Sequence, residues 1–389
     1  MSRNNKLVVD VDYYNHEHER ALKRIRGIRA GLDQIAGKSI EVPQGEFLTY
    51  SLFTHLGTGP DRFATKASIR RVANQYAQPL DDYFCRSGSV RLKDPAYDPH
   101  NGLRERIGVA LGLSAVSRIH GMTLADWVRI PVMRTPHLDF HLGSDGERKI
   151  QVETKGTVVR DNTRKEPKVS LHASNIAEKK AHLKSLRSEP AQWRAGVRYG
   201  TIAAIDDSRC AKVWLLDPEP EPVMWEPQEL RLLARFGFLA AWLRLISPYS
   251  RVSQAMRHRY EKLVNSRQPL SLDRVPLIDA DGVTINGDRS GDVEVPGNFF
   301  YGKSDFDAKI VVRSIALDRR RQLMLGLRRE LLDLVFTQDF SGIMAYRSQP
   351  SSLDGVLKSG PFTQSVEIPE GDVTLSQTSF GTTVNLVAA

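Results

Sequence analysis

Between residues 103 and 216 the spacing of apolar residues switches from the helical period to the strand period and back, which constrains the fold more than any other property of the chain. Leu103, Ile107, Leu111, Val116 and Ile119 recur at helical steps. Short runs at 128–133, 137–142 and 149–153 read as strands, and a charged stretch over 174–187 reads as a helix that Ser170 or Ser174 can cap. Two further strand-like runs follow at 201–205 and 212–216. Helix, three strands, helix and two strands make an α/β unit, a central mixed sheet flanked by helices. Pro79, Gly88, Pro95, Pro99 and Gly102 punctuate the chain before this unit, and Pro218, Pro220, Pro222 and Pro227 after it, so it is expected to occupy residues 96–218.

The flanks read differently. Leu22, Ile25, Ile28, Leu32 and Ile35 predict one amphipathic helix over 15–36, and an aromatic-containing segment over 47–84 holds a second, at 66–76, with Arg70 and Arg71 facing outward. Residues 1–95 are therefore expected to form a helical N-terminal region. Beyond the central unit the pattern predicts helices at 228–246 and 251–267, a glycine- and aspartate-rich loop over 279–297, a strand at 309–315 and a long basic helix at 317–336. That last helix would carry Leu323, Leu327, Leu331 and Leu334 on one face. The last fifty residues, rich in Ser, Thr, Gly and alternating Val, read as a β-rich or loosely ordered tail. Residues 219–389 thus make a mixed α+β C-terminal region, expected to bind substrate or partner.

Composition narrows the function. A chain of 389 residues with 41% hydrophobic and 26% charged residues is globular and long enough for two or three domains. Its 55 Lys and Arg against 46 Asp and Glu give +9, a moderate excess that favours polyanionic partners. Cys85 and Cys210 alone cannot build a disulfide framework or a cysteine metal knuckle, so a reduced, cytoplasmic protein is expected. The N-terminal apolar run is interrupted by Asp10 and Asp12, which is too short for a signal-peptide core. The most apolar stretch, 236–246, is broken by Arg244 and falls short of the ~20 residues of a membrane span.

One segment carries chemistry. Pro136-His137-Leu138-Asp139-Phe140 is followed by a Gly-Ser-Asp-Gly turn at 143–146 and then by Lys149-Ile150-Gln151-Val152-Glu153-Thr154-Lys155. In a strand Glu153 and Lys155 point the same way, and a hairpin returns Glu153 beside Asp139. Two carboxylates bind a hard cation, and an ammonium beside them can orient or deprotonate the attacking water of a phosphodiester hydrolysis. The acid-x-Lys spacing alone is weak, since Glu166/Lys168, Glu178/Lys180 and Asp307/Lys309 share it. Context favours 153/155: Ile150 and Val152 alternate before the acid, whereas in the 307/309 case the apolar run Ile310-Val311-Val312 follows the lysine.

The arrangement resembles the PD-(D/E)XK nuclease superfamily over roughly residues 103–216, with Asp139 at the first acidic position and Glu153-Thr154-Lys155 at the E-x-K. The resemblance implies a restriction-endonuclease-like fold and a metal-dependent endonuclease acting on DNA rather than RNA, as in bacterial restriction and phage defence. It also implies Mg²⁺ or Mn²⁺ held by Asp139, Glu153 and the Thr154 carbonyl, Lys155 at the water, and the helical acid Glu105 as a further ligand. Residues 148–198 carry thirteen Lys and Arg against five acids, close to the whole excess charge of the chain. On their helix His172, Asn175, Lys179 and His182 form a polar stripe, with Lys180 beside it, that can face phosphates. Paired cuts would require a homodimer or a partner protein. The alternative is a catalytically silent nucleic-acid-binding or assembly subunit on the same fold, acting through its basic surface.

Other signals point to structure. Asn15-His16-Glu17-His18-Glu19 reads as a polar helix start, because histidines two apart on a helix diverge. Asp10 and Asp12 end an apolar strand-like run and are followed by Tyr13-Tyr14 rather than glycine.

Overall fold

The structure, a computed structural model, describes residues 6–25, 27–53, 65–77, 79–80, 88–94, 99–128, 140–186, 197–220, 226–285, 298–302, 309–318, 321–358 and 371–388. In chain order the first elements are β1 (Lys6–Tyr13), α1 (His16–Arg24), α2 (Arg29–Ile35), β2 (Lys38–Pro43), α3 (Gln44–Leu52), α4 (Lys66–Val72) and α5 (Asn101–Ile119). Then come β3 (Trp127–Val128), β4 (Phe140–Ser144), β5 (Lys149–Val158), α6 (Pro167–Leu186), β6 (Val197–Ile205) and β7 (Lys212–Pro220). The remainder holds α7 (Pro227–Ile246), α8 (Arg251–Asn265), β8 (Asn298–Gly302), β9 (Lys309–Ala316), β10 (Arg321–Arg328), α9 (Arg329–Thr337), α10 (Phe340–Ala345), β11 (Ser351–Lys358), β12 (Gly371–Gln377) and β13 (Thr382–Ala388). Two units separate: Met1–Gly57 with Tyr76–Leu230, and Thr58–Gln75 with Arg231–Ala389.

The first unit is a seven-stranded mixed sheet in the order β2-β1-β7-β6-β5-β4-β3. Strands β5 and β6 run parallel, as do β1 and β7, while the remaining neighbours are antiparallel. Helix α5 lies on one face so closely that glycine is required at the crossing. A Cβ on Gly108 would stand 2.5 Å from the Gly156 nitrogen of β5, and one on Gly156 would fall on the Arg104 carbonyl oxygen. Helix α6 lies on the other face, where Val169, Ala173 and Ile176 join Ile202, Trp214 and Leu216 in one buried cluster. With both faces covered, β6 is buried at all nine positions, as a central strand must be.

The second unit closes six antiparallel strands into a barrel, β10-β13-β12-β11-β8-β9. Its interior is filled by Phe300, Ile310, Val312, Met324, Leu353, Leu357 and Leu375. Trp242 of α7 donates its indole N–H to the Gly326 carbonyl of β10 at 2.9 Å.

Several expectations need correction. The N-terminal region is not helical throughout: Leu7, Val9 and Val11 are buried alternately, and β1 and β2 extend the central sheet. The helix expected over 15–36 is two helices, because Ile25 turns extended after α1 and Gly27 adopts φ +79°. The long basic helix expected at 317–336 is the strand β10 followed by α9, since Leu323, Leu325 and Leu327 alternate with Met324 and Gly326 and all pair into the barrel. The C-terminal tail supplies three barrel strands. The expected strands at 128–133 and 137–142 are described only as Trp127–Val128 and from Phe140 onward. No helix among the described residues is long and apolar enough to cross a membrane.

Candidate functional site

Strand β5 alternates its side chains between the two helices. Thr154 faces α5, where its methyl would meet a Cβ placed on Gly112, while Glu153 and Lys155 face α6. Glu153 is 0% exposed. Its Oε1 accepts from Lys155 Nζ at 2.8 Å, and both of its oxygens accept from Lys179 Nζ of α6, at 3.2 and 3.1 Å. A buried carboxylate is tolerable only when paired, and here two ammonium groups meet one acid. The two lysine side chains keep 29% and 24% exposure, so the centre is buried on the acid's side and open on the lysines' side.

The surroundings are polar by design of the sheet register. Gln151, two residues before Glu153 on the same face, accepts from Arg198 Nε at 3.1 Å, and Lys180 donates to the Arg198 carbonyl at 3.1 Å. His172, one helical turn beyond Lys168, has a buried Nδ1 with no hydrogen-bond partner among the described residues. Burial, and then the charges of Lys155 and Lys168, hold its imidazole below the ordinary histidine range and therefore neutral.

The expected site is thus brought together in part. Glu153, Lys155, Lys179 and His172 share the groove between β5 and α6, while Asn175 and His182 are exposed on α6. Lys180, expected at a phosphate, is buried and tied to β6 instead. Glu105 is half-buried in the first turns of α5, next to Arg104, whose carbonyl abuts Gly156. Asp139 and Asp307 lie outside the described residues. Sequence reasoning missed the ion pair from Lys179 to Glu153, because no spacing rule links a strand acid to a helical lysine 26 residues later.

Among the described residues no three His, Cys, Asp or Glu side chains converge as a metal site. The oxygen donors that β5 offers, the Glu153 carboxylate and the Thr154 main-chain carbonyl, are of the kind a hard dication takes. Three or more such donors are needed, and Asp139, the expected further acid, lies outside the described residues.

A second buried polar cluster sits on the α5 face of the same strands, where Tyr199 pairs with Val152 beside Glu153. His120, at the C-terminus of α5, is fully buried; its Nδ1 lies 3.0 Å from Asp145 and its Nε2 2.7 Å from the Tyr199 hydroxyl. Arg148 also reaches Asp145, at 3.1 Å. Comparison with protein-family models, curated proteins and solved structures finds no match.

Proposed function

We infer that the protein is a metal-dependent nuclease with a restriction-endonuclease-like central domain, hydrolysing phosphodiester bonds in DNA, with restriction or phage defence as its setting. The observation that carries this reading is the pairing of a fully buried Glu153 with Lys155 on β5, the middle strand of a helix, three-strand, helix, two-strand unit. The basic excess of residues 148–198 around it favours a polyanion.

On this reading Asp139, Glu153 and the Thr154 carbonyl hold Mg²⁺ or Mn²⁺, with Glu105 as a further ligand. Bound there, the cation supplies charge stabilisation to the phosphate as negative charge develops. Lys155, already 2.8 Å from Glu153, orients the attacking water and assists its deprotonation. Lys179, ion-paired with the carboxylate and partly exposed, can swing toward a substrate phosphate.

The test is cleavage of plasmid, linear and single-stranded DNA with Mg²⁺, Mn²⁺ or no metal, beside Glu153→Ala and Lys155→Ala checked for folding. Metal-dependent cutting lost in both variants is expected; absence of cutting on every substrate overturns the reading. A catalytically silent nucleic-acid-binding subunit is the second reading. It is favoured by the two lysines that already compensate Glu153. It predicts salt-sensitive binding that Lys155→Ala leaves intact and no cleavage to lose.

A further inference from the structure

We propose that a cavity on the same sheet face as Glu153 and Lys155 takes one unpaired nucleotide of the nucleic-acid substrate, base against aromatic walls and phosphate on arginines; this rests on the nuclease reading. The cavity, about 400 Å³, is lined by Tyr14, Trp214, Lys212, Asn162, Arg164 and Arg209 among others, all within the first unit. That volume is in the range of small-ligand sites and suits a single nucleotide, whereas a stacked base pair cannot enter it.

Register ties the cavity to the candidate site. Asp12, Trp214, Ile202 and Lys155 are consecutive cross-strand partners through β1, β7, β6 and β5. They form one row, and three strand spacings of about 4.8 Å put its ends roughly 14 Å apart. The α6 helix packs over the middle of this row, on Ile202 and Trp214. The segment leading into it carries Arg160, Arg164, Lys165 and Lys168, all exposed, against Asp161 and Glu166. A strand leaving Lys155 therefore has a basic path over the start of α6 to the cavity.

The lining has the composition of a nucleotide site. Its carboxylates are already paired with cations: Asp12 with Lys212 at 2.9 Å, and Glu19 with Lys23 at 2.7 Å. The guanidinium of Arg164 has no carboxylate partner among the described residues, and Arg209 has only an exposed Asp161 at 3.8 Å, so the unspent charge at the rim is positive. Trp214 is 6% exposed, and its indole N–H finds no acceptor among the described residues. Lys212 stands 4.3 Å from its ring centroid and covers it, so Tyr14, which is half-buried and meets Trp214 edge-on at 6.4 Å, is the ring a base would stack on. Asn162 spends its amide N–H on the Cys210 carbonyl at 2.9 Å, which leaves its carbonyl oxygen to accept from a base edge. Aromatic surface with cations beside it is how single-stranded nucleic acid is held.

The experiment is calorimetric titration of the full chain with each deoxynucleoside 5′-monophosphate and with inorganic phosphate. Labelled single-stranded and mismatch-containing oligonucleotides are followed in parallel by anisotropy. The variants are the exposed pair Arg164→Glu with Arg209→Glu, Tyr14→Ala, and Glu153→Gln. We expect mononucleotides to bind and to compete with the oligonucleotides, phosphate alone not to compete, and the arginine pair and Tyr14→Ala each to weaken binding at least tenfold. Glu153→Gln should lose cleavage, and loss of mononucleotide binding together with it places the nucleotide at Glu153 and overturns the cavity assignment. No mononucleotide binding, or unaltered binding by the arginine pair, overturns the proposal. Binding of mononucleotides that no oligonucleotide displaces makes the cavity a site for free nucleotides and overturns the substrate assignment. Failure of the nuclease reading shows separately, as absence of cleavage with mononucleotide binding intact.

Discussion

Lys179 Nζ lies 3.2 and 3.1 Å from the two carboxylate oxygens of Glu153, joining α6 to β5 across 26 residues of chain. With Lys155 on the same acid, either lysine alone can compensate it. Lys155→Met and Lys179→Met should therefore each cost about 1–2 kcal/mol, because one ammonium remains and both are partly solvated. The double variant strands a buried carboxylate and should cost about 5 kcal/mol, more than the two single changes summed. Urea unfolding of the four proteins as a double-mutant cycle checks this; simple additivity would refute the shared-charge account.

Gly156→Ala should destabilise the first unit by about 3 kcal/mol. The new methyl falls on the Arg104 carbonyl, so α5 must lift from β5, and backbone on both sides leaves nothing soft to give. A thermal or urea midpoint indistinguishable from the unaltered protein would remove the close crossing of α5 and β5 from the account.

The His120 cluster carries a pH dependence of stability. Burial holds the imidazole below its ordinary 6.5 despite the hydrogen bond to Asp145. The neutral ring donates from Nδ1 to Asp145 and accepts from Tyr199, whose own hydroxyl is pushed well above its usual range by burial. The unfolded chain binds a proton near pH 6.5 and the folded one only lower. Stability from this group is thus fully present above that pH and falls as the pH drops through it. Unfolding free energies measured from pH 8 to pH 5 should fall for the unaltered protein and fall less for His120→Gln; equal slopes would contradict the buried neutral imidazole.

In the second unit Arg235 is fully buried and gives Nη1 to three carbonyls at the C-terminal end of α10, those of Ile343, Met344 and Tyr346, at 2.7, 2.7 and 3.0 Å. A lysine is shorter, so its ammonium falls short of the Nη1 position that reaches these carbonyls, and it loses the planar guanidinium that lies 5.0 Å from the Phe380 ring centroid. Arg235→Lys should cost about 2–4 kcal/mol through carbonyls left unpaired. Circular dichroism melts test it, with a shift below 2 °C as the contrary result.

Where local periodicity and final environment agree, the sequence was legible. Helices α5, α7 and α8 and the strand containing Glu153 follow directly from their apolar spacing. Strand β10 was not, because both of its faces are buried in the barrel and its leucines at 323 and 327 fit a helical step of four equally well. Strands β1 and β2 escaped because a short apolar run with two aspartates does not announce that it will pair with β7, more than two hundred residues away in the chain. At the site, Glu153 and Lys155 were legible as a strand pair, whereas the contribution of Lys179 and the cavity beside Trp214 arise only once β1, β7 and α6 are assembled.

Helix α4 belongs to the barrel's unit although the chain on both sides of it belongs to the other, and Arg70 of α4 donates to the Ala316 carbonyl of β9 at 2.7 Å. During synthesis, then, residues 58–75 emerge well before any strand they serve, and the first unit is translated through Leu230 while α4 still waits for its partner. The six barrel strands all lie between Asn298 and Ala388 and can pair from their own contiguous stretch of messenger, but the helix that bonds to β9 is laid down early, so cutting the chain near residue 230 leaves a piece of the second unit on the fragment that carries the first.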